Sequence, residues 1–301
     1  MIKIKILLAT YNGEKYIREQ MDSILNQQGI EVNVAVSDDG SKDKTLEIIK
    51  HNYPEILISQ NIPGTGSAAK NFLKMVSELT IDDDFDYIAF SDQDDIWLPE
   101  KMKKAVEILQ KENSDLYCSN LTKWDTSTGS LTELKKDFPQ KKYDFLFEGG
   151  SAGCTYVLTR KLVFQLKEFV NKRLDNSDWN EFSHDWLIYF FARYNGYKVS
   201  IDSNSYIHYR IHDSNVHGHL NKISLSTIKS KFSKVLNGYH DVHARNFIEY
   251  VDKDTKEYTI YKAFLGGYFN RNKMIFKYNT QLMRDKKKLT IFMLLNLFKF
   301  K

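Results

Sequence analysis

Residues 86–97 read DYIAFSDQDDIW, an apolar run followed by three aspartates within four positions. The run Tyr87–Phe90 predicts a buried strand, and Asp92, Asp94 and Asp95 follow where that strand ends. Like charges repel one another in a partly desolvated place unless a metal ion, a basic side chain or water compensates them. The strand before the three aspartates is therefore a guide to the fold, and the group that compensates their charge is a guide to the chemistry of the site.

Strands and helices alternate along the first 120 residues. Apolar residues recur at helical spacing between the strands, as in the helix that carries Ile17, Met21, Ile24 and Leu25. Such alternation with short connections is typical of an α/β fold with a mostly parallel, Rossmann-like sheet flanked by helices. The predicted strands are Ile2–Ala9, Val32–Val36, Ile56–Ser59, Tyr87–Phe90 and Leu116–Cys118.

Polar loops follow the first four strands. They are TYNG at 10–13, SDDGS at 37–41, NIPGTG at 61–66 and SDQDD at 91–95. In a parallel α/β sheet, ligands bind beyond the carboxyl ends of the strands. We therefore expect the four loops to converge on one ligand site.

The pattern changes from about residue 149. A small-residue loop, GGSAG at 149–153, comes first, and a histidine-rich segment at 208–219 comes last. Between them the predicted elements are a strand at Thr155–Thr159, a helix at Lys161–Asn171, an apolar helix from His184 to Tyr194, and short strands at Val199–Asp202 and Tyr206–Tyr209.

Charge and cysteine content narrow the class of protein. Residues 222–301 hold 17 Lys and Arg against 6 Asp and Glu, whereas residues 1–221 hold 26 against 33. This asymmetry predicts either a basic region that faces an anionic surface or a solvated helical tail. Cys118 and Cys154 fit neither a metal spacing nor a disulfide framework, which favours a reduced, cytoplasmic setting. The N-terminal segment is too short for a signal peptide, and the chain has no apolar stretch of about 20 residues.

The acidic segment is suited to a divalent metal. Asp92 and Asp94 lie two positions apart, so extended backbone would point both side chains the same way. Hard carboxylate oxygens suit Mg²⁺ or Mn²⁺ shared with a diphosphate. The alternative is a solvated loop in which Asp95 caps the next helix.

The end of the second predicted strand is suited to a pyrimidine base. An ionised carboxylate on Asp38 or Asp39 can accept a hydrogen bond from the N3–H of uracil or thymine. The alternative is an Asx-type turn with Gly40. Tyr11 would either stack on the base or pack against the protein.

Five segments together resemble the inverting family 2 glycosyltransferases of the GT-A fold, in the branch that builds bacterial polysaccharides and includes rhamnosyltransferases. They occur in consistent order: LLATYNGEKYIREQMDSILNQ, VSDDGSKDKT, SDQDDIWLPEK, GCTYVLTR and HDW. The later YRIHDSN is similar to that branch's YRQHGNN. The resemblance implies a GT-A catalytic domain at 1–221, with a nucleotide-sugar half at about 1–120, an acceptor half at about 121–221, and a helical C-terminal extension at 222–301.

The resemblance also implies site residues. Asp94 would bind a divalent metal, Mn²⁺ or Mg²⁺, and His212 would complete the metal shell, with His208 as the alternative. Asp185 would be the general base, although capping of the following helix is its alternative role. The implied donor-side residues are Thr10, Tyr11, Asn12, Asp39, Lys70, Asn71, Asp92 and Asp94, and the implied acceptor-side residues are Gly153, His184 and Trp186.

These roles agree with the chemistry of a single displacement. A cation stabilises the leaving nucleoside diphosphate, and a carboxylate takes the proton of the acceptor hydroxyl. We expect metal-dependent, inverting transfer of a sugar, with rhamnose from dTDP-rhamnose favoured by the branch, to a growing cell-surface polysaccharide or a lipid-linked glycan. The alternatives are a UDP-galactose or UDP-glucose donor, or a non-catalytic nucleotide-sugar-binding homologue. A pyrimidine nucleotidyltransferase is disfavoured, because such an enzyme usually has a glycine- and arginine-rich loop directly after the first strand, and the segment TYNGEKY at that place is not such a loop.

The C-terminal region suggests where the enzyme works. Residues 270–301 hold nine Lys and Arg, one acidic residue and the apolar run Ile291–Phe298. Such a segment can lie in the interface of an anionic membrane, which would place the protein at the inner face of the plasma membrane. The alternative is a helical appendage that packs on the catalytic domain or on a second subunit. No nucleic-acid partner is expected.

Overall fold

The computed structural model describes residues 1–173, 183–211 and 238–299. Packing separates them into two units. Unit 1 comprises residues 1–137, 150–173 and 183–211, and unit 2 comprises residues 138–149 and 238–299. The predicted domain boundary at 221 lies outside the described residues.

Unit 1 contains a seven-stranded sheet and a smaller four-stranded sheet. Its strands are β1 (Lys3–Thr10), β2 (Glu31–Asp38), β3 (Leu57–Gln60), β4 (Tyr87–Ser91), β5 (Ile96–Trp97), β6 (Leu116–Ser119), β7 (Leu121–Asp125), β8 (Ser130–Leu134), β9 (Val157–Thr159), β10 (Val199–Asp202) and β11 (Ile207–Ile211). The order in the large sheet is β10-β6-β9-β4-β1-β2-β3. All neighbouring strands are parallel except β9, which runs antiparallel between β4 and β6. The predicted mostly parallel α/β sheet is confirmed.

Burial explains why β1 lies inside this sheet. Ile4, Ile6 and Leu8 are fully buried in the core, and Leu7, between two of them, is buried as well. A strand that is covered on both faces needs such a nearly continuous apolar run. β1 therefore pairs on both sides, with β2 and with β4.

Helices cover the sheet as expected. Ile17, Met21 and Ile24 are buried, as their spacing predicts, but Leu25 at the end of its helix is 40% exposed. The helices of unit 1 are α1 (Ile17–Leu25), α2 (Thr45–Asn52), α3 (Ala68–Glu78), α4 (Lys101–Glu112), α5 (Arg160–Arg173) and α6 (His184–Tyr194).

The four-stranded sheet, with order β5-β11-β7-β8, was not predicted. β5 has two residues, too few to show an alternating pattern, and all five residues of β8 carry partly or fully exposed side chains. The predicted cap role of Asp95 is wrong, because β5 follows it and Glu100 is the N-cap of α4. Pro99, whose sequence position favours the first helical turn, instead lies just before this cap. The acidic segment is thus held between two strands, β4 and β5.

Unit 2 is helical, as predicted for the C-terminal region. Residues 138–149 pack with its helices, although the sequence pattern did not indicate this. The ring of Phe147 lies 5.0 Å from that of Phe264 and 5.4 Å from that of Phe292. Among the described residues, no helix combines the length and apolar character that crossing a bilayer requires. The helices of unit 2 are α7 (Tyr239–Phe247), α8 (Lys256–Leu265), α9 (Tyr268–Tyr278) and α10 (Lys286–Leu297).

Candidate active site

The loops after β1, β2, β3 and β4 lie at one edge of the large sheet. In the parallel register Thr10 stands opposite Asp38, Asp38 opposite Gln60, and Leu8 opposite Ser91. The carboxyl ends of the four strands therefore meet at this edge, as expected for a ligand site. We call residues 10–13, 37–41, 61–66 and 91–95 the rim.

Hydrogen bonds join three loops of the rim. The Tyr11 N–H donates to Oε1 of Gln93 at 2.8 Å, and Nε2 of Gln93 donates to the Tyr11 carbonyl at 3.0 Å. The Asn12 N–H donates to the Ser41 hydroxyl, and the Lys42 N–H donates to Oδ1 of Asn12, both at 2.8 Å. The predicted donor residues Tyr11 and Asn12 thus lie in a braced loop. The sequence pattern did not single out Gln93, which does much of this bracing.

Asp38 holds the turn that ends β2. It is fully buried, and its carboxylate accepts from the Thr10 hydroxyl at 3.0 Å and from the N–H groups of Gly40 and Ser41 at 3.1 and 2.9 Å. These are the bonds of the Asx-type turn considered above. Thr10 is also buried, so its hydroxyl supports the turn from the protein interior.

Asp39 lies next to the loop after β3. Its Oδ1 accepts from the Thr65 N–H at 2.7 Å, and its Oδ2 from the Gly66 N–H at 3.0 Å. Asn61 donates to Oδ1 of Asp39 at 3.1 Å and to Oδ1 of Asn71 at 3.0 Å. Asn71, on the buried side of α3, accepts this bond from Asn61 and donates to the Ser37 carbonyl at 2.9 Å. It thereby supports the residues next to Asp39. Lys70, the other residue predicted on α3, is half-buried in the first turn.

The acidic segment and the start of α6 form one electrostatic group. Burial, helped by the charges of Asp94 and Asp185, raises the pKa of Asp92 to about 7. Burial and the charges of Asp94 and Asp92 raise the pKa of Asp95 well above its usual range. Asp94, predicted for the metal, and Asp185, predicted as the base, thus both lie close enough to Asp92 for their charges to act on it, although they are far apart in sequence.

The acidic group fits a hard divalent cation. Asp92, Asp95 and Cys154 each place one ligand atom within 4.8 Å of the others'. Oδ2 of Asp95 is buried and has no hydrogen-bond partner among the described residues. Burial raises the pKa of the Cys154 thiol, which keeps this soft group protonated and makes it a poor ligand for Mg²⁺ or Mn²⁺. Carboxylate oxygens are therefore the suitable ligands here. Asp94, the predicted metal ligand, is not one of these three clustered residues, but its charge acts on both Asp92 and Asp95.

The predicted histidine ligands have different outcomes. His212 lies outside the described residues. His208 lies on β11, where its ring centroid is 6.4 Å from that of Trp124. Burial lowers the pKa of His208, so its imidazole is neutral over a wider pH range.

Arg210 holds the backbone of the acidic segment, a role that the sequence analysis missed. Its Nε donates to the Asp94 carbonyl at 2.7 Å, and its backbone N–H donates to Oδ1 of Asp95 at 3.2 Å. Its guanidinium lies 4.5 Å from the ring centroids of both Tyr16 and Trp124. The side chain of Arg210 is almost fully buried. The only feature of the sequence that pointed to it was an arginine within the segment YRIH.

Asp185 lies in the first turn of α6, next to the helix N-terminus. Its carboxylate accepts from the Ser183 hydroxyl and, at 2.7 Å, from the Trp186 N–H. Ser183 occupies the N-cap position, so the alternative that Asp185 is the N-cap is wrong. Trp186, predicted on the acceptor side, is 3% exposed and faces the core.

His184 and Gly153 lie against each other. The imidazole packs on Phe72 and Phe90, with ring centroids 4.5 and 5.7 Å apart, and burial lowers its pKa. A Cβ on Gly153 would overlap this imidazole. The absence of a side chain at Gly153 therefore gives room to His184, which begins α6 just before Asp185.

Comparisons with known proteins agree with this architecture. Residues 5–163 match the profile of the family described as Glycosyl transferase family 2. The chain is 37% identical over 214 residues to dTDP-rhamnosyl transferase RfbG of Shigella flexneri, which covers 69% of this chain and 72% of the relative.

Solved structures show the same fold. S. aureus TarS 1–349 in complex with UDP-GlcNAc superposes with a TM-score of 0.58 at 18% identity, over 97% of this chain and 84% of that one. Mannosyltransferase PcManGT from Pyrobaculum calidifontis, in complex with GDP-Man and Mn²⁺, gives a TM-score of 0.55 at 14% identity, over 90% and 71%. With this fold, this rim and these relatives, the chain is a glycosyltransferase of the GT-A fold and belongs to glycosyl transferase family 2.

Proposed function

We propose that this glycosyltransferase is metal-dependent and inverting, and that it transfers a sugar from a nucleoside diphosphate to an acceptor hydroxyl. One observation carries the proposal: Asp94 and Asp185, far apart in sequence, both lie close enough to Asp92 for their charges to add to the effect of burial, which raises the pKa of Asp92 to about 7. A metal-binding carboxylate and a base are needed at the same sugar, and these residues meet at one site. No enzyme nucleophile is required when the configuration inverts.

The rim binds the nucleotide in this proposal. Asp39 accepts the N3–H of the pyrimidine, since an ionised carboxylate has about four lone-pair sites and its two oxygens receive three hydrogen bonds from the protein. Tyr11 is 55% exposed and can stack on the base. Thr10 and Asn12 brace the loops that carry Tyr11 and Asp39, and Asn71 supports Asp39 through Asn61. Lys70 faces the donor from α3.

The metal ion belongs with the acidic segment. Asp94 would hold Mn²⁺ or Mg²⁺ with His212 as a further ligand, and Asp92 would contact the ribose or the sugar. When bound, the ion would supply Lewis acidity for the departure of the nucleoside diphosphate. Arg210, by holding the Asp94 carbonyl at 2.7 Å, keeps this segment in place.

Asp185 is the general base. Its Oδ1 is occupied by the Ser183 hydroxyl and the Trp186 N–H, which orient the carboxylate. The other oxygen takes the proton of the acceptor hydroxyl as the new glycosidic bond forms and the anomeric carbon passes through an oxocarbenium-like state. His184 and Gly153 position the start of α6 on the acceptor side, together with the buried Trp186.

The donor is dTDP-rhamnose in the leading form of this proposal, because a relative with 37% identity is named a dTDP-rhamnosyl transferase. UDP-galactose or UDP-glucose is the second candidate, supported by a fold neighbour that was crystallised with UDP-GlcNAc. The acceptor is a hydroxyl of a growing polysaccharide or of a lipid-linked glycan. Such an acceptor places the enzyme in the cytoplasm, at the inner face of the plasma membrane.

Transfer and donor hydrolysis with dTDP-rhamnose, UDP-galactose and UDP-glucose, each with Mn²⁺, Mg²⁺ or a chelator, test this function. We expect dTDP-rhamnose to be used, activity to need the metal, and the product to have the inverted anomeric configuration by NMR. Asp185→Asn should lower kcat by about 10³-fold, the loss expected for a general base. Donor affinity should change little.

Asp254→Asn, at an exposed aspartate of unit 2, is the matched control and should be fully active. Full transfer by Asp185→Asn would rule out the base assignment. Retained configuration would rule out the single displacement. Donor binding by the wild type without hydrolysis or transfer would indicate the non-catalytic homologue.

A further inference from the structure

Unit 2 leaves a group of large apolar side chains uncovered. They are Phe269 (85% exposed), Phe276 (52%), Ile291 (47%), Leu294 (49%) and Phe298 (71%). All five belong to α9 and α10 or directly follow α10. Burying apolar surface is the main favourable term in association, so a contiguous patch of this kind marks a contact surface.

The apolar residues of α10 lie on one helical face. Ile291, Leu294 and Phe298 follow Lys287 at spacings of four, three and four residues, which keeps all four on the same side of a helix. The opposite side is packed inside unit 2, where the Phe292 ring lies 5.4 Å from that of Phe147. The exposed stripe is therefore not needed to hold the helix on unit 2.

α9 adds a second stripe next to the first. Phe269, Lys273 and Phe276 follow one another at spacings of four and three residues and are exposed. The hydroxyl of Tyr268 donates to the Leu297 carbonyl at 3.2 Å, which brings the start of α9 to the end of α10. Because only a short connection joins the other ends, the two helices are antiparallel neighbours. We define the two-helix face as the exposed apolar residues 269, 276, 291, 294 and 298 together with the exposed lysines 273, 277, 286 and 287.

The charge of this face is positive. Lys273, Lys277, Lys286 and Lys287 are exposed beside the apolar residues. Neither helix contains an acidic residue, and Asp285, just before α10, is used to cap the Lys287 N–H at 2.8 Å. Apolar side chains that are flanked by lysines match a surface with anionic headgroups over an apolar interior.

We propose that the two-helix face binds the surface of an anionic lipid bilayer. Phe269, Phe276, Ile291, Leu294 and Phe298 enter the boundary between headgroups and acyl chains, and the lysines pair with lipid phosphates. A second copy of the same face would bring like charges together, which disfavours self-association. The proposal deepens the proposed function by naming the surface that holds the enzyme near a lipid-linked acceptor, and it rests on that function only for this purpose.

Vesicle co-sedimentation of the full chain tests the proposal. The probes are vesicles of phosphatidylglycerol with phosphatidylcholine, and vesicles of phosphatidylcholine alone. We expect binding to the anionic vesicles only, and weaker binding at about 1 M salt, where the Debye length is about 3 Å. Each lysine contributes about fivefold in affinity. The triple change to Gln at Lys277, Lys286 and Lys287 should therefore weaken binding about 100-fold.

Two matched variants separate the face from general surface effects. The variant with Ile291→Ser, Leu294→Ser and Phe298→Ser should lose binding even at low salt, whereas Leu57→Ser with Leu131→Ser, at exposed apolar residues of unit 1, should bind normally. The control for the lysines replaces three exposed lysines of unit 1 by Gln, at Lys50, Lys103 and Lys111. Circular dichroism checks that every variant is folded.

Several outcomes would overturn the proposal. They are equal binding to both kinds of vesicle, unchanged binding by both face variants, or a dimer in sedimentation velocity that only the face variants abolish. Donor hydrolysis in solution, without vesicles, should be the same for the wild type and the face variants. If the wild type does not hydrolyse the donor, only the proposed function is contradicted. If the wild type does not bind anionic vesicles, only the proposed role of the two-helix face is contradicted.

Discussion

Gln93 and Arg210 hold the loops that carry the carboxylates of the candidate active site, through hydrogen bonds to Tyr11 and to the Asp94 carbonyl. The segment SDQDD marked Asp92 and Asp94 by their spacing after a strand, and the resemblance implied Asp185. Nothing in the sequence pattern marked Gln93, because its contact with Tyr11 depends on the approach of two loops. Arg210 escaped notice because it reaches the acidic segment through a strand pairing between β5 and β11.

Arg210 gives a prediction at this scale. Arg210→Gln removes the donor that holds the Asp94 carbonyl and the cation that contacts Tyr16 and Trp124. We expect kcat to fall at least tenfold and Mn²⁺ affinity, measured by EPR in the presence of dTDP, to fall by a similar factor, because an unpaired buried partner costs about 1–3 kcal/mol. Arg210→Lys keeps the charge without the fork and should recover only part of the loss.

Arg18→Lys, at an exposed arginine that bonds Asn52 on the surface, is the control and should match the wild type. A variant Arg210→Gln that is folded and binds Mn²⁺ as tightly as the wild type would contradict this positioning role. Thermal unfolding of both variants separates loss of the site from loss of the fold.

At the scale of elements, β5 and α4 determine how the acidic segment leaves the large sheet. β5 turns the chain into the second sheet directly after Asp95, and Trp97 on β5 is buried in the core. Lys101 on α4 is fully buried, with Nζ 3.5 Å from the centre of the Trp97 ring. Nζ has no hydrogen-bond partner among the described residues, so α4 contains a buried amine that is poorly compensated.

The pH dependence of stability follows from Lys101. Burial lowers its pKa to about 7, whereas the unfolded chain keeps the proton up to a pKa of about 10.4. Between these values the unfolded state binds more protons, so Lys101 makes the protein less stable as pH falls from about 10 to 7, and the cost is complete below 7. Lys101→Met should raise the free energy of unfolding by about 1–3 kcal/mol at pH 6 and much less near pH 10.

Denaturant unfolding at both pH values measures this difference. Lys103→Met, two residues along the same helix and exposed, is the control and should show no such pH dependence. A lower stability of Lys101→Met at pH 6 would mean that Lys101 acts as a needed counter-ion for the neighbouring Asp95.

At the scale of the whole molecule, the sequence predicted the large sheet better than what surrounds it. β1 and β4 have apolar runs that only a buried strand explains, and their loops contain turn residues at the points where the chain reverses. The four-stranded sheet was missed because β5 is two residues long and β8 is polar. The place of residues 138–149 in unit 2 depends on distant contacts, such as Arg284 with Glu148 at 3.2 Å, which no local pattern encodes.

For the candidate site, too, local sequence patterns predicted some features, and others depended on distant contacts. The convergence of the four loops could be predicted, because parallel strands bring their carboxyl ends to one edge. The partner of each carboxylate could not be predicted, because it depends on packing between distant parts of the chain. Asp39 accepts a hydrogen bond from Thr65, and Asp185 lies close enough to Asp92 for its charge to act there.

Asp94 as the ligand of a divalent ion beside the nucleotide is the assignment on which the proposed chemistry depends. It can be tested by anomalous diffraction at the manganese edge, from crystals grown with dTDP and Mn²⁺. We expect one strong peak next to the acidic segment, with a carboxylate oxygen of Asp94 at about 2.0–2.3 Å, and no such peak in Asp94→Asn crystals. Nucleotide bound on the rim without a manganese peak there, or a peak with Asp94 turned away from it, would show that Asp94 is not the metal ligand.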